Sequence, residues 1–212
     1  MIHPKRQRAK REVESFFQYF QDERLKIGNI NPQETSPVYL KILYLALLES
    51  LAKCRYDSPK PRERFVSLIR EYSGWNECEN VSIPHILRLL SKYENIGSSK
   101  VRDEVSGKIA TWEKDNFPTL KQDLTSIDAS KLFSARDFEI MRSEKVNFHY
   151  FHHVHLLYNM RNTLFHEFRE LGYGLELKRE NSPFYFWMPT LNKTLKRWEL
   201  MYPIGFFEFL VD

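Results

Sequence analysis

The stretch NFHYFHHVHLLYNMRNTLFHEFREL, residues 147–171, decides how this chain is read. Placed on a helix at ~100° per residue, His155, Asn159, Asn162 and His166 fall within roughly 60° of one another, with His152 beside them. The opposite arc carries Leu157, Met160, Leu164, Phe168 and Leu171. One face is apolar and the other a stripe of histidines and amides. The spacing therefore predicts an amphipathic helix over 147–171, ended by Gly172-Tyr173-Gly174. Arg161 breaks the pattern, because it lies on the apolar side, roughly 140° from His166. A charge there must be paired or must leave the core. It either meets a carboxylate from another helix or stands at a protein–protein seam with a cleft.

Working outward, the segments before this helix also have helical spacing. Val13, Phe16, Phe17, Phe20 and Leu25 predict a helix over 10–25, and Gly28 to Pro32 a loop. Ser36-Pro37 opens a helix to about Lys53, and Pro61 opens another to Tyr72. Ser82 with Pro84 opens a fourth, to about Tyr93. A polar helix follows from about Ser99 to Lys114, before Pro118. Residues 128–141 form a weaker helical pattern with Asp128 as the cap. After Gly174 the period shortens. Leu175 and Leu177, then Phe184 and Phe186, alternate around Asn181-Ser182-Pro183, which predicts a β-hairpin. Leu191, Leu195 and Trp198 have the spacing of a short helix, and Ile204–Val211 fits a strand or a buried terminal segment. The expected fold is mainly α: a helical bundle over 1–172 with a basic N-terminal arm, and a small C-terminal β-hairpin and terminal segment over 173–212 packed on it.

Composition sets bounds on this reading. The 212 residues hold sixteen Phe and eleven Tyr, enough for a packed core, and only seven Gly, few for an all-β or glycine-rich nucleotide fold. No apolar run approaches the ~18 residues that span a bilayer. The basic start MIHPKRQRAKR lacks the apolar core of a secretory signal. Cys54 and Cys78 are too few for a disulfide framework, so a reducing, cytoplasmic setting is expected. The net charge of +4 is compatible with a nucleic-acid partner. Lys5, Arg6 and Arg8 in the N-terminal arm are candidate phosphate contacts, or part of a solvated, frayed terminus.

The string Arg161-Asn162-Thr163-Leu164-Phe165-His166 resembles the R-x(4–6)-H signature of HEPN domains, and its place near the end of the last strong helix fits as well. Arg142 to His149 matches the longest permitted spacing. Arg161 is preferred for the Asn that follows it and for its amphipathic helix. The resemblance covers about residues 35–172. It implies a compact bundle that dimerises so that two motifs face one cleft, and a metal-independent endoribonuclease of the toxin–antitoxin, phage-defence or RNA-processing kind. An antitoxin or regulatory protein would be a further partner. One subgroup carries Tyr two residues after the His, where this chain has Phe168. A bundle of this kind can also lose activity and serve as a nucleic-acid or protein-binding module.

The chemistry matches the residue types. RNA is cut when its own 2′-OH attacks the neighbouring phosphate, which needs proton transfer and positive charge on the phosphorane. His166 has a suitable unperturbed pKa of about 6.5. Arg161 can hold two phosphate oxygens, and Asn162 can orient the His or donate to phosphate. His155 and Asn159 on the same stripe are candidate RNA contacts. No cofactor or metal is expected for this chemistry. The alternative is a metal site in the cluster His149, His152, His153 and His155, where His149 and His153 have the i, i+4 spacing of helical ligands. No Asp or Glu lies among them.

Overall fold

The computed structural model describes residues 4–31, 33–112, 117–169, 181–189 and 196–212. Helices dominate, and a two-stranded antiparallel sheet lies near the C-terminus. In chain order the helices are α1 (Pro4–Gly28), α2 (Pro37–Arg55), α3 (Pro61–Tyr72), α4 (Ile83–Lys92), α5 (Ser99–Trp112), α6 (Ser126–Leu132), α7 (Ala135–Ser143), α8 (His153–Glu167) and α9 (Ile204–Val211). The strands are β1 (Phe184–Pro189) and β2 (Lys196–Met201). A proline in the first turn opens α2, α3 and α4, where its missing N–H costs nothing and its fixed φ suits the helix. α2 is the central rod: it buries Leu40, Tyr44, Leu45, Leu48 and Ala52 and packs against α1, α3, α8 and α9.

α1 runs from Pro4 to Gly28, so it takes in the expected N-terminal arm and Gly28, which the spacing places outside a helix over 10–25, and three further segments differ from the sequence expectation. Residues 128–141 are two helices rather than one. Thr125, not Asp128, caps the first by accepting from the Asp128 N–H. Ser134 then caps α7 in a reciprocal box with Asp137, and these local hydrogen bonds outcompete a continuous helix. The 147–171 helix is shorter than expected. Phe148–Phe151 form a 3-10 turn, His152 is extended (ψ 144°), and α8 begins only at His153. It ends at Phe168, which takes left-handed backbone (φ 51°).

The third difference is in the tail. Phe184 and Phe186 lie in β1 as expected, but β1 pairs with β2, from Phe184↔Met201 to Pro189↔Lys196. The paired strands are therefore 184–189 and 196–201, and Asn181-Ser182-Pro183 precedes both of them rather than joining them. Trp198 is in a strand, where Trp198 and Leu200 face the core. Leu175, Leu177, Leu191 and Leu195 lie outside the described residues, as do Gly172-Tyr173-Gly174. Ile204–Val211 is a helix that buries Phe206, Phe207 and Leu210. That spacing of one and four places all three on one helical stripe.

The bundle and the tail share one continuous core. Tyr185, Trp198, Leu200, Phe206 and Phe207 are buried in the same cluster as Leu45, Phe65, Val81 and Leu157. Tyr185 donates its backbone N–H to the Pro118 carbonyl at 2.7 Å, and Phe184 bridges to Thr119. No described helix is long and apolar enough to cross a membrane. Cys54 is exposed, Cys78 is buried, and both are free thiols.

Candidate functional site

Arg161 sits between α8 and α2. Its guanidinium pairs with Glu49 of α2 and donates to Asn162 Oδ1 at 2.9 Å. The Phe165 ring lies 4.3 Å from it, a cation–π distance. The charge on the apolar arc is therefore held by a carboxylate from another helix, and its side chain keeps 14% exposure. His166 is exposed, one turn further along. α8 runs without a break from His153 to Glu167, so Arg161 and His166 point to different sides of one rod. One chain does not bring them together. Asn162 stays beside Arg161. Phe168, directly after this segment, is 65% exposed and left-handed, a rare state for a bulky side chain.

The rest of the expected stripe is not solvated. Arg62 of α3 crosses it and donates to Asn159 Oδ1 at 2.7 Å. The Arg62 guanidinium also stacks 4.4 Å from the Tyr150 ring and 4.6 Å from that of Tyr158. His155 is half-buried under this layer. Burial, with help from Arg70 and Arg62, lowers its pKa to about 4, so it is neutral near pH 7. Its Nδ1 is buried without a partner. In the N-terminal helix, Arg8 pairs with Glu12 at 2.9 Å on an exposed face. The side chains of Lys5 and Arg6 lie outside those described.

The histidine cluster divides among separate environments. His149 is exposed on the 3-10 turn, His152 is 3% exposed, and His153 is fully buried. The extended His152 breaks the helical register, so the i, i+4 relation of His149 and His153 does not exist in space. His153 Nε2 instead lies 2.8 Å from Asp123 Oδ2. Among the described residues, no three His, Cys, Asp or Glu side chains gather as a metal ion would require.

The second Arg-to-His spacing fares differently. Arg142 and His149 line one open cavity of about 570 Å³, together with Lys145, His152 and Ser126. Among the described residues no carboxylate pairs with Arg142 or Lys145 there. Lys145 follows α7 with φ 56°, while the Val146 N–H closes on the Met141 carbonyl at 2.7 Å. Glycine usually holds that left-handed position. At the back of the cavity, His152 Nε2 is 3.3 Å from Ser126 Oγ. Its Nδ1 is 3.3 Å from Glu79 Oε2, ion-pair range without hydrogen-bond alignment. His152 and then Arg70 hold the Glu79 carboxyl down at about 2.

A further polar group is fully internal. Tyr185 Oη lies 2.7 Å from both Asp123 Oδ2 and Ser82 Oγ, and Ser82 Oγ lies 2.8 Å from His85 Nδ1. Asp123 Oδ1 accepts the Ile83 N–H at 2.8 Å. Sequence reading missed Glu49, Arg62, Asp123, Tyr185 and His85. Only Glu49 left a signal, as the lone acid that closes the apolar run of α2. Comparison with known proteins finds no matching family model, no matching curated protein and no matching solved structure.

Proposed function

We propose that this chain is a metal-independent RNA-cutting module of the HEPN kind, acting as a two-fold homodimer. The observation that carries the reading is the division of the motif on α8. Arg161 is held between α8 and α2 by Glu49, with Asn162 beside it, while His166 stands exposed on a different side of α8. Each chain then offers half of a site, and a second copy set across α8 supplies the other half. Arg161 holds the phosphate and offsets charge as the phosphorane forms. His166 moves the proton between the 2′-OH and the leaving oxygen.

A second placement of the same chemistry is favoured by one observation: Arg142 and His149 already line one cavity within a single chain, together with Lys145, which pairs with no carboxylate among the described residues. RNA cleavage in excess EDTA decides between them. In the dimer reading, His166→Ala lowers cleavage by ~10²–10⁴-fold, the usual worth of one proton-transfer group, Arg161→Ala lowers it by ~10²–10³-fold through lost charge stabilisation, and light scattering gives a dimer mass. Loss with His149→Ala and not with His166→Ala moves the site to the α7 cavity. Full-length RNA persisting with the unaltered protein leaves a binding module, with RNA or a regulatory protein as its partner.

A further inference from the structure

A second cavity, of about 210 Å³, opens between α4, α8 and β2. Tyr150 and Tyr202 stand in its walls, with His85 of α4 and Asn159 of α8 as the polar groups. Arg88 and Arg197 also line it, and both pair with the buried carboxylate of Glu199. Two guanidiniums on one carboxylate leave a net positive charge beside the opening.

The hydrogen-bond polarity of these walls follows from proton counting. Tyr185 has one hydroxyl proton and sits 2.7 Å from the Asp123 carboxylate, so that proton goes to Asp123. The 2.7 Å contact between Tyr185 and Ser82 then needs the Ser82 proton. Ser82 has no second proton for His85, so His85 Nδ1 must donate to Ser82 Oγ across 2.8 Å. Burial, aided by Arg88, His153 and Arg197, lowers the His85 pKa to about 3, which keeps the ring neutral. A neutral ring with its proton on Nδ1 has a bare acceptor at Nε2. Asn159 is fixed in the same way. Arg62 can only donate, so the atom it meets is Oδ1, and the Asn159 Nδ2 protons remain free to donate. Among the neutral side chains of the wall, His85 Nε2 is thus an acceptor and Asn159 Nδ2 a donor, with Tyr150 and Tyr202 beside them and the two guanidiniums adjacent.

We infer that this cavity receives a single unpaired nucleobase of RNA, adenine or cytosine by preference, with His85 Nε2 accepting from its amino group and Asn159 Nδ2 donating to the adjacent ring nitrogen. Adenine and cytosine present an amino donor beside a ring acceptor on the pairing edge, whereas guanine and uracil present a ring N–H there. Arg88 and Arg197 meet the attached phosphate. The inference rests on the RNA reading above and names the residue that single-stranded RNA places in this chain.

Titration calorimetry with AMP, CMP, GMP and UMP tests it without any cleavage. AMP or CMP is expected to bind at least about tenfold more tightly than GMP and UMP. His85→Phe should remove that binding while circular dichroism stays unchanged. Asn159→Asp keeps the size and replaces the donor by an acceptor, so it should turn the preference toward GMP, whose edge carries two adjacent donors. Equal binding of all four nucleotides, no binding at millimolar concentration, or an unchanged order in Asn159→Asp overturns the inference. Nucleotide preference without RNA cleavage sinks the nuclease and keeps the pocket. Cleavage without nucleotide preference does the reverse.

Discussion

Arg161 shows how a single misplaced charge reports on its surroundings. Its position on the apolar arc required a partner, and the run Ile42–Leu48 ending at Glu49 held that partner in plain view. What the sequence could not give was the pairing of the two, which are 112 residues apart. His153 and Asp123 were less legible still, because the register that would place His153 on a face is broken at the extended His152. The Arg161–Glu49 pair is mostly shielded from water, so removing either partner leaves the other poorly satisfied. Arg161→Ala and Glu49→Gln are each expected to lower stability by about 1–3 kcal/mol, read from urea midpoints. A double-mutant cycle should then show a coupling of at least about 0.5 kcal/mol. Additive losses in the cycle would mean that the pair is not made in solution.

At the level of elements, helix starts were legible wherever proline or a polar cap announced them, as at Pro37, Pro61 and Ser82. Endings and breaks were less so. Thr125 and Ser134 each form a local cap inside what looked like one periodic segment. The tail deceived for a different reason. Trp198 has helical spacing from Leu191 and Leu195, yet cross-strand pairing with Trp187 decides its conformation. In α9 the stripe Phe206, Phe207 and Leu210 was too short to distinguish from a strand by period alone. Its burial against α2 makes α9 structural rather than an appendage. Phe207→Ala should cost about 3–5 kcal/mol, the usual penalty for emptying a buried aromatic site. A loss under 1 kcal/mol in thermal or urea unfolding would show that α9 is undocked in solution.

For the whole molecule, three titrating groups act in the same direction as the medium turns acid. His155 and His85 have folded pKa values near 4 and 3, below the ordinary 6.5 of an unfolded chain. Each is neutral in the fold and takes up a proton on unfolding. Their contribution is complete above pH 6.5 and is lost progressively toward pH 4, at no more than about 1.4 kcal/mol per pH unit for each ring. Glu79, held near 2 by His152 and Arg70, adds a loss between about pH 4.5 and 2. Urea midpoints should therefore fall steadily from pH 7 to pH 4. His155→Gln should flatten roughly half of the slope above pH 4.5. A midpoint independent of pH over that interval would mean that neither imidazole is buried as described. Both shifts were illegible in the sequence, since they come from α3 and from the tail closing over α8 and α4.

The placement of Tyr185 has a consequence for how the chain is made. Its hydroxyl completes the buried group formed by Ser82 and Asp123, and its ring stacks 4.9 Å from that of Trp112. A nascent chain that has emerged only as far as α8 holds the Asp123 carboxylate and the α5 indole with no lid over them. At ~5–20 residues per second, the interval until α9 emerges lasts a few seconds. Through that window the helices before the hairpin are an unsealed vessel, open to any chaperone that reads exposed apolar surface during synthesis.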